Sequence, residues 1–130
     1  MSSTFSVTHN TKGSPSLIKG LHFVDIKNEV LGKDYKLSLV FVGTKRMSTI
    51  NRTYRKKDSA TDILSFPLEV DSGEIFICPQ YAAKKSKEFE RPLKNFLTFL
   101  FIHGLFHLKG LTHGSTMERK EREIRGKFGI

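Results

Sequence analysis

At 130 residues the chain is long enough for one domain, residues 1–130, built around one core. A hydrophobic content of 38% with eleven Phe excludes a disordered chain, and a single cysteine, Cys78, excludes both an intrachain disulfide and a cysteine-rich zinc finger. The net charge of +9 is the electrostatic footprint of a polyanionic partner such as nucleic acid.

The chain opens on a polar stretch, MSSTFSVTHNTKGS, without the apolar core of an export signal, so export is not expected. Thr4 to Thr8 alternates as a short first strand. Ser14-Pro15 reads as an N-cap and first helical residue, and Leu17, Ile18, Leu21, Val24, Asn28 and Leu31 keep helical spacing until Gly32. Tyr35 to Val42 predicts a strand with Leu37, Leu39 and Phe41 on one face. Thr44 can cap a helix to about Arg55, with Met47, Ile50 and Tyr54 as its apolar positions. After a polar loop, KKDSAT, strands are expected from Asp62 to Val70 and again over GEIFIC, joined at Asp71-Ser72-Gly73. Pro79 starts a helix to about Glu88.

Pro92 starts the next helix, which is apolar on every side and so central and buried. Its Phe96 to Leu108 run is interrupted by Thr98, His103 and Gly104, too short and polar to cross a bilayer. Ser115 and Glu118 form a capping-box pattern before a short, charged last helix. Together these elements predict an α+β fold: a small mixed sheet packed with several helices, the central one carrying histidines.

Those histidines are the most informative residues. His103, His107 and His113 fall in the run HGLFHLKGLTH. A spacing of four puts His103 and His107 on one helical face, together with Phe96 and Leu100. Gly110 ends the helix, and a short loop can return His113 to the same point. Three neutral imidazoles converging in this way suit one zinc ion with water in an open fourth position, the arrangement of a catalytic rather than a structural metal. Gly104 and Gly110 are expected to leave room for a substrate backbone. A zinc peptidase is a rival reading, but Gly104 stands where HExxH enzymes carry their glutamate base.

A second stretch, Asn51 to Pro67, combines basic residues with a helix end and a strand start. Lys45, Arg46, Arg52, Arg55, Lys56 and Lys57 form a cluster without an acid, suited to steering RNA. Arg55, at the helix end, is placed to reach a phosphate with a planar, always-charged donor.

On these residues the chain resembles the YbeY family of bacterial metal-dependent endoribonucleases. The family's HGxLHLxGYDH motif is matched by His103 to His113. Its N-x-x-Y/F-R-x-x-D-x-x-T-D-V-L-S-F-P segment is matched by Asn51, Tyr54, Arg55, Asp58, Thr61, Asp62, Leu64, Ser65, Phe66 and Pro67, and a G-E/D-I strand by Gly73, Glu74 and Ile75. The resemblance implies zinc on His103, His107 and His113, with Arg55 assisting at the RNA phosphate and His107 in the catalytic centre. It implies single-stranded RNA as substrate, a role in maturing the 3′ end of small-subunit ribosomal RNA and in ribosome quality control, a cytoplasmic location, and ribosomal particles or assembly factors as partners. Two departures stand out. Thr112 replaces the acid beside the third histidine, removing a possible partner for a ligand. Met117, Glu121 and Ile124 match an M-x-x-x-E-x-x-I/L pattern that usually comes several residues later. A non-catalytic ribosome-assembly factor whose metal secures the fold is the alternative reading.

Overall fold

The computed structural model describes residues 4–55 and 61–130. In chain order its elements are β1 (Phe5–Asn10), α1 (Ser14–Ile18), α2 (Phe23–Leu31), β2 (Lys36–Val42), α3 (Thr44–Arg55), β3 (Ile63–Glu69), β4 (Ser72–Ile77), α4 (Pro79–Glu88), α5 (Leu93–Leu108) and α6 (Ser115–Phe128). The sheet order is β1-β2-β4-β3; β2 runs parallel to both its neighbours, and β3–β4 is an antiparallel hairpin. This is the expected α+β fold with a mixed sheet.

Alternation along the strands builds two cores. Leu37, Leu39, Phe41, Ile75 and Ile77 join Leu97, Phe101, Ile102 and Leu105 of α5 in the larger one. On the other face Val40, Val42 and Leu64 pack with Met47 and Ile50 of α3 and with Cys78. Tyr54, expected on the apolar face of α3, is instead 70% exposed, with its ring edge against Phe66.

Three local expectations are corrected. The helix expected from Pro15 to Gly32 is two helices, with Lys19 extended and Gly20 at φ +84° between them. That break resets the phase, so α2 buries Phe23, Ile26 and Val30 and exposes Val24. The N-cap of the first piece falls on Gly13. At α6 the capping box does not form, because the extended N-cap conformation falls on Gly114, and Ser115 is already helical. Nor is α6 short: it runs 14 residues, passes through Gly126 and buries Met117 and Glu121.

The depth at which α5 sits is set by Gly104. A Cβ there would lie 2.9 Å from Ile63 Cδ1 and from Ser65 Oγ, and 3.1 Å from Ile75 Cδ1. Ser65 Oγ also donates a hydrogen bond to the Gly104 carbonyl at 3.3 Å. Gly104 therefore serves close approach to the sheet, and it also lines the cavity beside the histidines, where room for a substrate backbone was expected.

One lysine is buried beside the sheet's edge. Lys27 of α2 is fully buried, and its Nζ donates to the Lys33 carbonyl at 3.1 Å, to Thr4 Oγ1 at 3.3 Å and to Asn28 Oδ1 at 3.4 Å. Burial pushes its ammonium below the ordinary lysine range, with Asp34 pulling the other way.

Two outcomes follow. Gly104→Ala should cost about 1–3 kcal/mol through overpacking, read from urea unfolding, and an unchanged midpoint would show that α5 is not seated by this contact. For Lys27, the unfolded chain binds more protons than the folded one between the lowered folded value and 10.5. Stability should therefore rise with pH across that window. Cys78 and Tyr35, both pushed up by burial, titrate in the opposite sense. The measurement is thus the stability of the wild type minus that of Lys27→Met from pH 7 to 10.5, and a flat difference refutes it.

Candidate metal centre

The end of α5 builds the site. Its last turn closes with Gly110 at φ +98°, a conformation that costs glycine little. Gly110 N–H donates to the His107 carbonyl and Leu111 N–H to the Phe106 carbonyl, each at 3.0 Å, completing a Schellman turn. The turn folds the Leu111 carbonyl back over the helix end, where it meets His107 Nδ1 at 3.2 Å. His103 Nδ1, one turn earlier, meets Glu121 Oε1 of α6 at 2.9 Å.

These two contacts fix the tautomers. A carbonyl and a carboxylate only accept, so each Nδ1 is the donor and each neutral ring keeps its lone pair on Nε2. The two Nε2 atoms lie 3.0 Å apart. Two unprotonated nitrogens at that distance repel one another unless a cation is shared between them. Tetrahedral zinc, at 2.0–2.1 Å from each nitrogen, would hold them about 3.3 Å apart. His113 completes the set, its ring 5.1 Å from that of His103 and 5.0 Å from that of His107, and one nitrogen from each of the three residues lies within 4.8 Å of the others. Three nitrogen donors of this kind fit a borderline divalent cation such as zinc and leave a position for water or substrate.

Electrostatics favours the ligating form. Burial first, then the neighbouring His103 and, less strongly, His113, push the His107 imidazole below its usual range; the Leu111 carbonyl and Glu121 act against them. His107 is thus neutral near pH 7, as ligation requires.

The triad opens into a cavity of about 1050 Å³. Phe96, Leu100, His103 and His107 line it together, as their shared helical face predicts. Of the basic cluster, Lys45, Arg46 and Arg52 are exposed along α3 and none lines this cavity, although Asn51 of the same helix does. Arg55 ends α3, and its side chain lies outside the described residues, as do Lys56, Lys57 and Asp58. Among the described residues, the cations that do line the cavity are Lys85 of α4 and Arg122 and Arg125 of α6, residues that local charge density gave no reason to single out. Glu121 also went without a role in the sequence, since it is one of three acids in a charged helix. Its signal was burial on the α5 side, in phase with Met117. Thr112 is exposed on the cavity rim, and its exchange for an acid leaves the partners of both helix histidines in place.

The family described as endoribonuclease YbeY matches residues 7–129. Endoribonuclease YbeY of Alkaliphilus metalliredigens is 39% identical over 103 residues, covering 71% of this chain and 66% of that protein. The protein of the same name from Finegoldia magna is 35% identical over 114 residues, covering 78% and 74%. The solution structure of TM1509 from Thermotoga maritima superposes with a TM-score of 0.68 at 26% identity, over 95% of this chain and 90% of that one. A family match over nearly the whole chain, with relatives at 35–39% identity, establishes that the chain belongs to the endoribonuclease YbeY family.

Proposed function

We propose that this protein is a zinc-dependent endoribonuclease that cuts single-stranded RNA and acts on the 3′ end of small-subunit ribosomal RNA. The observation that carries the reading is the convergence of His103 and His107 Nε2, with both Nδ1 atoms committed elsewhere. A site of three protein ligands in an open cavity suits chemistry better than scaffolding, which favours four. The family name and the basic charge direct that chemistry to RNA. Work on ribosomal RNA in the cytoplasm, beside ribosomal particles and their assembly factors, belongs to the same proposal.

When bound, the metal would supply Lewis acidity to a phosphoryl oxygen and lower the pKa of a water towards ~7. The chain's own residues do the rest. His103, His107 and His113 hold the cation, and Glu121 and the Leu111 carbonyl keep two of the rings turned to it. Arg55 offers a fixed positive charge to the phosphate as negative charge builds. Lys45, Arg46, Arg52, Lys56 and Lys57 attract the RNA strand towards α3.

The test is cleavage of labelled single-stranded RNA by metal-analysed protein. Chelation or His107→Ala should lower the rate by roughly 100-fold or more, since several kcal/mol of transition-state stabilisation leave with the metal. Arg55→Ala should cost about 100-fold. Cleavage indifferent to all three would refute the site, and RNA binding without cleavage would favour the assembly-factor reading. Glu121→Gln should weaken zinc binding by about 10–100-fold, measured by competition with a chromophoric chelator, while the fold is retained. Unchanged affinity would show that Glu121 does not orient His103.

A further inference from the structure

Beyond the histidines, the same cavity has an aromatic wall. Phe89, just past the end of α4, is 52% exposed and lines the cavity together with Phe96 and Phe99 of α5. Its ring stacks on Phe96 at 5.3 Å and lies 5.8 Å from Phe99, and those two stack on each other at 5.6 Å. Phe96 is buried, so the outer ring rests on a rigid floor and offers its free surface to the cavity. The backbone beyond it is held in place: Glu90 adopts φ +53°, uncommon for a residue with a side chain, and Arg91 N–H donates to the Ser86 carbonyl at 2.9 Å.

The wall is set among cations. The guanidinium carbons of Arg91 and Arg125 lie 4.7 and 4.9 Å from the centre of the Phe99 ring. Arg122 and Lys85 line the cavity beside it. The acids here are largely engaged: Asp62 pairs with Lys85 at 3.7 Å, and Glu121 is shared between His103 and Arg125. Glu118 also lines the cavity. A half-exposed ring on a stacked floor, with guanidinium groups over the neighbouring Phe99 ring and the triad lining the same cavity, has the chemistry of a stacking platform for an unpaired base whose phosphate lies near arginine.

We propose that Phe89, backed by Phe96 and Phe99, stacks one unpaired nucleobase of a strand whose neighbouring phosphate reaches the histidine triad, with Arg122 holding the phosphate of the stacked nucleotide. The subsite rests on the RNA reading above and deepens it. Stacking accepts any base, so the platform selects for an unstacked strand rather than for a sequence. A base inside a duplex has no free face to offer it.

The chain contains no Trp, so Phe89→Trp places a single fluorescent reporter at the platform. The probe is a short 2′-O-methyl oligouridylate, shown by gel to stay intact over the titration, beside one of the same length with abasic positions. The base-bearing strand should quench the Trp emission, and the abasic strand should not. Phe89→Ala should weaken binding by about 5–100-fold, with the salt dependence unchanged because phosphate contacts remain. Phe89→Tyr should restore it. Binding equally tight for abasic and base-bearing strands, or unaltered in Phe89→Ala, overturns the platform but leaves RNA recognition standing. No binding of either strand overturns both the platform and the RNA reading.

Discussion

The close approach of α5 to the hairpin at Gly104 is the constraint on which the rest depends. Without a side chain at that position, the helix settles directly on Ile63, Ser65 and Ile75, and the Ser65 hydroxyl pins its carbonyl. His103 immediately precedes this contact and His107 follows one turn after it. The seating depth therefore decides how far both imidazoles stand from the sheet and how the cavity opens beside them. Apolar residues on the other faces of α5 lock the helix against rotation, since Leu97, Phe101, Ile102 and Leu105 are completely buried.

A site sunk in such surroundings would ordinarily be costly, because polar atoms lose water there. Here the two helix histidines recover their hydrogen bonds on the outer nitrogen only. The partners differ in kind. The Leu111 carbonyl is supplied by the turn that ends the helix, so it is local and is set once Gly110 closes the Schellman motif. Glu121 comes from another helix, and its carboxylate is itself buried, held between His103 and Arg125. A buried carboxylate with two positive or polar partners is stable where an isolated one would not be.

This distinction explains what the sequence revealed. The triad was legible because its grammar is local: a four-residue spacing, an apolar helix and a terminating glycine. The strands and the central helix were legible for the same reason, as their burial follows from alternation or from an unbroken apolar surround. The phase of α2 was not, because a left-handed Gly20 within an otherwise helical pattern leaves the spacing of apolar residues plausible on both sides of the break. The cavity's charges were not legible either. Lys45 to Lys57 is dense in sequence, yet Lys45, Arg46 and Arg52 lie outside the cavity, whereas Lys85, Arg122 and Arg125 reach it from two helices distant in sequence. Charge density along a chain measures composition, and only tertiary packing turns it into proximity.

The short connection after His113 gives this packing a further consequence. Only Gly114 separates the third histidine from α6, and α6 then carries Glu121 less than two turns in. His113 is thus tethered by one residue to the helix that carries Glu121, while His103 and His107 share α5. Met117, buried in the core between them, fixes the relation of the two helices. Arg125, one turn beyond Glu121, lies over Phe99, so the same helix also abuts the aromatic wall. Any displacement of α6 against α5 would shift a ligand, the orienting carboxylate of another ligand and the arginine beside Phe99 together. Position 112, by contrast, sits on the exposed rim and takes no part in the contacts that Glu121 and the Leu111 carbonyl make with His103 and His107.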